Sequence, residues 1–276
     1  MLCFITLDTV MKYALQFYPL VEVTWARFFF ATLIAILIAG RKLPEIAQTG
    51  QAGWQAVRSL LLASTTGLFN AGIMSVALPT GTTIMFMTPI IVTMLSSLLL
   101  GEHVGWRRWT SIGIGFLGAL IVMRIWETGV ANLNHAALLL LAAAFTNASY
   151  QVITRKLRTD HALTTLLYSA ALGAAITSVL VPFNWQWPDA AGWALFVGSG
   201  LAGCIGHLCL IRAFTNAPAT VVAPFAYSSL IWATLYGFVI WGDLPGGTTL
   251  LGAALIVGSG LYIFLRERRL GAAAKR

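Results

Sequence analysis

The chain has 276 residues, of which 58% are hydrophobic and only 9% are charged. A soluble domain carries roughly 25% charged residues, so this sequence cannot cover a water-facing surface, and its mean hydropathy of +0.82 indicates a chain whose solvent is lipid. The formal net charge of +8 does not indicate nucleic acid, because the basic residues lie between apolar runs and not on one surface.

Ten long apolar runs follow one another along the chain, separated by glycine, proline and asparagine residues that interrupt helices. A helix needs about 20 apolar residues to cross a hydrocarbon core of roughly 30 Å. The runs are continuous and lack the alternation of a transmembrane barrel strand. We therefore predict an all-α integral membrane protein with ten transmembrane helices, near residues 2–18, 20–39, 56–76, 80–100, 108–124, 135–154, 162–182, 191–212, 219–241 and 248–265.

The first predicted helix is unusual because it is short and contains two charged residues. The run from Leu2 to Phe17 reaches only about 24 Å at a rise of 1.5 Å per residue, and it carries Asp8 and Lys12. A signal peptide is the alternative, but the run has no basic leader and no A-x-A-like cleavage site. We expect either that the helix begins directly at Met1 or that the natural chain begins slightly earlier.

The basic residues are distributed unevenly between the predicted connections. If both termini are cytoplasmic, all but three of the 17 lysine and arginine residues lie on the inner side; the exceptions are Lys12, Arg27 and Arg124. This bias follows the positive-inside rule and supports an even number of helices. We predict a bacterial inner-membrane protein with both termini in the cytoplasm. The inner basic residues are Arg41, Lys42, Arg58, Arg107, Arg108, Arg155, Lys156, Arg158, Arg212, Arg266, Arg268, Arg269, Lys275 and Arg276.

The two halves of the chain resemble each other at a nearly constant offset. The stretch Leu98–Glu102, for example, matches Val239–Asp243. We predict two five-helix repeats over residues 1–133 and 134–276. Because five is odd, the second repeat must enter the bilayer in the opposite direction, as in the inverted repeats of secondary transporters. The alternative is that apolar, glycine-rich helices resemble each other by chance.

The most specific stretch begins in the fourth predicted helix. Ala77–Thr83 continues through Thr88-Pro89 to Leu100–Glu102, and a similar second copy runs from Ala223-Pro224 to Gly242-Asp243. These residues resemble the drug/metabolite transporter superfamily, and specifically its EamA-type ten-helix exporters. The resemblance extends over nearly the whole chain.

The resemblance implies a central cavity lined mainly by helices 1, 3, 4, 6, 8 and 9. It also implies a secondary transporter that exports amino acids or related metabolites, as bacterial exporters of aromatic and other amino acids do. We expect the two halves to close one mouth of the cavity while the other opens, which is alternating access. Within the superfamily such motifs indicate the fold and not the solute, so drugs or nucleotide sugars stay alternative substrates.

The competing functional class is a membrane-embedded enzyme. Such an enzyme needs an activated nucleophile, a metal cluster or carboxylates with a base, and the sequence has no metal-ligand spacing and no paired intramembrane carboxylates. We therefore predict no enzyme activity, no cofactor, no metal and no catalytic residues. The expected partners are a small-molecule substrate and the lipid bilayer, without nucleic acid, and the chain is predicted to be a monomer or weak dimer.

Asp8 and Lys12 are the first candidates for substrate contact. An ionisable group inside a bilayer costs at least about 2.5–3.5 kcal/mol and tends to be functional. The two residues lie four apart on one helix face, acid first. Either Lys12 meets a substrate carboxylate or forms a gate, or the two charges neutralise each other while Lys12 reaches towards the surface. We expect the Arg27 side chain to reach the membrane surface or to pair with Glu22, and not to contact the substrate.

A second set of candidates lies at mid-depth in the predicted bundle. His207 must find a hydrogen-bond partner there, and with Asn70 and Asn147 it predicts a polar cavity wall. The alternative for His207 is a purely structural residue, and for the apolar candidates it is helix packing or lipid contact. The apolar and aromatic candidates for the wall are Met74, Met87, Tyr150, Tyr227 and Trp232.

Two prolines and several small residues indicate how the helices bend and pack. Pro89 is central in the fourth helix, where it removes a backbone hydrogen bond and should kink the helix, and Pro224 lies in the first turns of the predicted ninth helix. Both are candidates for gating, with a merely tolerated kink as the alternative. Small residues spaced by four predict close helix packing: Ser111–Gly115–Ala119, Gly198–Ala202–Gly206 and Ala254–Gly258.

Overall fold

The computed structural model describes residues 1–100, 106–122, 135–157, 159–216 and 223–273, and these residues form helices and turns with no β-strand among them. Their ten principal helices are α1 (Leu2–Ala14), α2 (Leu20–Ala39), α3 (Ala52–Ile73), α4 (Leu78–Met85 and Met87–Leu100), α5 (Trp106–Val122), α6 (His135–Lys156), α7 (Ala162–Leu180), α8 (Ala190–Asn216), α9 (Ser229–Trp241) and α10 (Gly247–Ala273).

The described helices are apolar enough for a lipid environment. Four segments are both long and apolar enough to cross a bilayer, and they are Leu20–Ile46, His135–Lys156, Ala162–Asn184 and Ala190–Ala213. Four shorter apolar helices lie in α4, α5, α9 and α10. The prediction of an all-α membrane protein is thereby confirmed, whereas the inverted relation of the halves stays a prediction.

The first helix is shorter than predicted. It ends at Ala14 and not near residue 18, which gives a length of about 20 Å at 1.5 Å per residue. The chain turns over the next residues, and Pro19 precedes the first residue of α2. Proline is well tolerated at this position, because its fixed φ angle and missing N–H suit the start of a helix.

The fourth helix is interrupted where its sequence predicts a kink. Its two segments meet at Phe86, whose backbone N–H bonds to the carbonyl of Thr83 at 3.1 Å, one residue closer than in a regular α-helix. Pro89 explains the break, because it has no N–H to offer the carbonyl of Met85 four residues earlier. The interruption therefore lies three residues before Pro89.

The predicted start of the ninth helix was wrong. Residues 217–222 lie outside the described residues, Ala223–Ser228 form a 3₁₀ turn, and α9 begins only at Ser229. Pro224 therefore belongs to the 3₁₀ turn and not to the first turns of an α-helix. A regular helix from residue 219 would lack the backbone bond that Pro224 cannot donate.

Two sets of connections identify the two faces of the bundle. On one face, the α2–α3 connection bonds to the α6–α7 connection, where Thr49 Oγ1 donates to Asp160 Oδ2 at 2.6 Å; we name this the N-terminal face. On the opposite face, the α1–α2 connection bonds to the α7–α8 connection, where Tyr18 donates its hydroxyl to Asp189 Oδ1 at 3.0 Å. Asp189 also accepts from the backbone N–H of Gly192 at 2.7 Å, and this bond and the Tyr18 hydroxyl lower the pKa of Asp189.

Close packing of α8 on α2 depends on a glycine that the predicted small-residue stripe did not include. A methyl group on Gly200 would lie 2.4 Å from Cβ of Phe30 and 2.9 Å from the backbone nitrogen of Ala31. Among the described residues, nothing lies within 4 Å of a methyl group added to Gly198, which belongs to the predicted stripe, so the stripe was placed on the wrong side of α8 at this level. Gly206 does face α1, because a methyl group added to it would lie 3.2 Å from the ring of Phe4.

We predict that Gly200→Ala destabilises the protein and that Gly198→Ala does not. The added methyl at position 200 meets backbone atoms of α2, so the two helices must separate, and such overpacking costs about 1–3 kcal/mol. The measurement is the midpoint of thermal unfolding in detergent for both variants. Equal midpoints would contradict the assigned contact between α8 and α2.

Candidate functional site

Four buried side chains from four helices form a continuous line of hydrogen bonds, which we name the polar chain: Arg58, Tyr150, His207 and Arg27. Arg58 Nη2 donates to the hydroxyl of Tyr150 at 2.7 Å. That hydroxyl lies 3.3 Å from Nδ1 of His207, whose Nε2 lies 3.1 Å from Arg27 Nη2. The exposed fraction is 9% for Arg27 and lower for the other three.

Arg58 attaches α3 to α6 and α7. Besides Tyr150, its guanidinium donates to Thr154 Oγ1 at 2.8 Å, to the carbonyl of Thr165 at 3.1 Å and to Ser169 Oγ. The guanidinium carbon also lies 4.4 Å from the centre of the Tyr150 ring. All of these acceptors are neutral oxygens, so hydrogen bonds and not a carboxylate compensate this buried cation.

Further hydrogen bonds continue from Arg58 to the N-terminal face. The Gln55 amide donates to Thr165 Oγ1 at 3.2 Å and to Asp160 Oδ2 at 2.8 Å. Ser59 donates to the carbonyl of Gln55 at 2.6 Å and contacts Ser169 at 3.4 Å. The polar chain is thus linked by side chains of α3 and α7 to the surface carboxylate of Asp160.

Arg27 occupies the other end of the polar chain and is placed differently from the prediction. Its Nη1 donates to Thr66 Oγ1 at 2.6 Å, and the carboxylate that attracts it is Asp8 of α1. Glu22 instead accepts the backbone N–H of Gln186 at 3.0 Å. The predictions that Arg27 pairs with Glu22 or reaches the surface were therefore both wrong. Helix α2 packs between α7 and α8, so the Arg27 side chain lies inside the bundle.

Lys12 joins three elements near the opposite face. Its amine donates to the carbonyl of Val76 at 2.6 Å and lies 5.2 Å from the ring centre of Trp241. Asp243 is the carboxylate that attracts it. Asp8 and Lys12, both half-buried, therefore have separate partners in the described structure and do not form the mutual ion pair that their spacing allowed.

The remaining polar candidates do not join His207. Asn70 is buried and donates to Thr24 Oγ1 at 3.2 Å, which links α3 to α2. Asn147 is half-buried and accepts from Gln151 at 3.4 Å within α6. That these residues line a cavity with His207 stays a prediction.

The apolar candidates have varied surroundings. Met87 is buried in a cluster with Phe86 and Ile90. Tyr227 packs on Phe86, with ring centres 5.3 Å apart, and its hydroxyl lies against Gly260. Trp232 is half-buried beside α1 and α4, and Met74 is largely exposed at the end of α3. The described residues contain no group of three or more histidine, cysteine or acidic residues that could hold a metal ion.

Ten helices with apolar exteriors and a buried line of charged and polar side chains define a polytopic membrane protein with a polar interior. A solved crystal structure has the same fold, with a TM-score of 0.65 and 17% sequence identity, covering 98% of this chain and 97% of the other. The family model described as "EamA-like transporter family" matches residues 1–124 and again residues 134–265. The chain therefore belongs to the EamA-like transporter family, which confirms the resemblance found in the sequence.

Three relatives of the chain are named as bacterial transporters. The chain is 31% identical to the riboflavin transporter of Vibrio cholerae serotype O1, over 95% of this chain and 89% of the relative. It is 25% identical to the S-adenosylmethionine uptake transporter of Rickettsia prowazekii, over 90% and 84%. It is 24% identical to the pseudopaline exporter CntI of Pseudomonas aeruginosa, over 92% and 89%. These relatives and the family indicate a transporter and not an enzyme.

We predict that Arg58→Ala strongly destabilises the protein. The variant leaves buried oxygens of α6 and α7 without a donor, and each lost hydrogen bond to a charged group is worth about 1.5–3 kcal/mol. Arg41→Ala, which removes an exposed arginine, is the matched control. Unfolding midpoints in detergent compare the two variants, and a midpoint for Arg58→Ala equal to that of the control would contradict the anchoring role.

Proposed function

We propose that the protein is a secondary transporter that exports amino acids or related small metabolites across the bacterial inner membrane by alternating access. The observation that carries the proposal is the pair Asp8 and Lys12 on α1. The two charges are opposite, lie one helical turn apart and are both half-buried, and the Lys12 amine bonds to the carbonyl of Val76 and not to Asp8. A zwitterionic solute presents the same two charges at a similar separation, so its ammonium group faces Asp8 and its carboxylate faces Lys12.

Aromatic side chains next to this pair suit the apolar part of such a solute. Trp232, Tyr236 and Trp241 of α9 pack around the contact of α9 with α1 and α4. The hydroxyl of Tyr236 lies 3.2 Å from Thr6 Oγ1 on α1. A combination of a few convergent polar groups with aromatic walls is typical of small-molecule sites. We include Asn70, Asn147, His207 and Tyr227 in the proposed cavity, with α4 and α9 as the moving elements.

Helix contacts support two inverted repeats, over residues 1–133 and 134–276. If each helix of the first half corresponds to the helix five places later, the contact of α1 with α8 corresponds to that of α6 with α3. Likewise, the contact of α2 with α8 corresponds to that of α7 with α3, and the pairs α2–α7 and α5–α10 map onto themselves. All of these are main contacts of the bundle. Such pseudo-symmetry provides the two exchanged conformations of alternating access.

Contacts at the opposite face support the proposal that the mouth of the cavity is closed on that side. Pro79 at the start of α4 packs against Gly237 of α9, where an added methyl group would lie 3.2 Å from the proline ring. Lys12 bridges α1 to the α3–α4 connection and to Trp241 beside this contact. The interruption of α4 at Phe86 provides a point where this helix can bend, and we propose gating roles for Pro89 and Pro224.

We expect purified protein in liposomes to exchange a labelled amino acid from a broad panel, and we expect Lys12→Ala and His207→Ala to reduce the rate at least about tenfold, equivalent to about 1.4 kcal/mol. Lys42→Ala, an exposed lysine, is the control that should keep the wild-type rate. Counterflow with and without a pH gradient then measures proton coupling, and vesicles of both orientations measure the direction.

Two outcomes of the same panel distinguish the parts of the proposal. Exchange of riboflavin with no amino acid exchanged would contradict the substrate class and leave the carrier function intact. Absence of exchange for every solute in the panel, by protein that unfolds cooperatively, would contradict the carrier function. Wild-type flux in both variants would remove Lys12 and His207 from the site.

A further inference from the structure

We propose that Arg58 and Tyr150 are positioning residues that hold His207 as the neutral tautomer with its proton on Nδ1, so that Arg27 stays bound between His207 and Thr66. The proposal concerns the direction of the hydrogen bonds within the polar chain. Only its transport measurement rests on the proposed function. Neither residue is assigned contact with the solute.

The argument begins with what an arginine can donate and accept. A guanidinium carries only N–H donors and no acceptor, and it keeps its proton in proteins. Arg27 Nη2 lies 3.1 Å from Nε2 of His207. At that separation Nε2 must present its lone pair, because a proton there would point at the N–H of Arg27.

The position of the remaining imidazole proton follows. A neutral imidazole has one N–H and one lone pair, so a ring that accepts at Nε2 carries its proton on Nδ1. Nδ1 lies 3.3 Å from the hydroxyl oxygen of Tyr150 and donates to it. The Nε2–H tautomer and the imidazolium would both place an N–H against Arg27, so only one of the three forms of His207 fits.

Arg58 fixes the acceptor for that proton. It donates to the same Tyr150 oxygen at 2.7 Å, so that oxygen accepts from both of its neighbours. The bonds of Arg58 to α6 and α7 prevent Tyr150 from turning away. Phe4 of α1 also packs on His207, with ring centres 5.0 Å apart.

The consequence for the site is a fixed position of Arg27. Thr66 and His207 hold its two terminal nitrogens, and the charge of Asp8 on α1 attracts it. If Tyr150 no longer accepts the Nδ1 proton, that proton moves to Nε2 or the ring turns, and Arg27 loses one of its two acceptors. Arg27 then moves fully onto Asp8 and neutralises the carboxylate that the proposed solute would contact.

Nuclear magnetic resonance of ¹⁵N-histidine in detergent tests the tautomer directly. The chain has four histidines, and the signals absent from the His207→Gln variant identify residue 207. We expect the wild type at neutral pH to show Nδ1 protonated and Nε2 with a lone pair, and Tyr150→Phe to convert all or part of the population to Nε2–H. Tyr262→Phe, which removes an exposed hydroxyl, should leave the wild-type signals. A wild-type Nε2–H tautomer or imidazolium, or an unchanged tautomer in Tyr150→Phe, would overturn the proposal.

Transport measurements give a second readout that a purely structural role would not produce. With the amino acid that the liposome panel identifies, Tyr150→Phe should raise KM about tenfold, equivalent to about 1.4 kcal/mol, with little change in the maximal rate. Arg58→Lys, which restores one donor to Tyr150, should recover part of what Arg58→Ala loses. An unchanged KM in Tyr150→Phe would overturn the link to the site. If no solute is exchanged at all, the tautomer of His207 still tests the hydrogen-bond directions in the polar chain. The two proposals therefore fail separately.

Discussion

The structure depends on satisfying two buried guanidinium groups inside an apolar bundle. A buried cation is tolerated only when its donors meet acceptors of good geometry, and at membrane depth the lipid supplies none. Arg58 and Arg27 meet this requirement with hydroxyl, carbonyl and imidazole groups from α3, α6, α7 and α8. Because these acceptors come from both halves of the chain, the same bonds that accommodate the charges also fix the arrangement of five of the ten helices.

The sequence predicted the fold well because its signal is local. Long apolar runs separated by prolines and glycines locate most helices to within a few residues, since only backbone-satisfied helices cross lipid. The misplacements lie where local pattern and backbone chemistry disagree. Apolar residues continue past Ala14 after α1 has ended, and an apolar run precedes α9 although the chain forms a 3₁₀ turn around Pro224.

The candidate site could be predicted only in part, because its key contacts are not local. The sequence alone identifies the acid and the amine in the first apolar run and the histidine in the eighth. These side chains stand out because placing an ionisable group in lipid is energetically unfavourable. Arg58 was counted instead among the basic residues of the inner side, although it lies within the predicted third helix, residues 56–76. Its acceptors Thr154 and Ser169 are ordinary residues of apolar helices, and nothing in their spacing relates them to Arg58. In the structure α3 begins at Ala52, four residues before the predicted start, which places Arg58 about 9 Å inside the helix at 1.5 Å per residue.

The polar chain also makes the two halves unequal, although their helix contacts correspond. The contact of α3 with α7 is held by Arg58 and its bonds to Thr165 and Ser169. In the contact of α8 with α2, the hydrogen bond between His207 and Arg27 is accompanied by Gly200, which brings the two backbones close together. Glycine contacts in helix pairs slide with small changes of van der Waals distance, whereas buried charge-assisted hydrogen bonds are lost abruptly when helices separate. The contacts of α3 with α6 and α7, where Arg58 makes several such bonds, should therefore resist separation more strongly than the contact of α8 with α2. The conformational change should therefore be concentrated in α1, α4 and α9, where Lys12, Pro79 and the break at Phe86 lie, while α3, α6 and α7 move as one body.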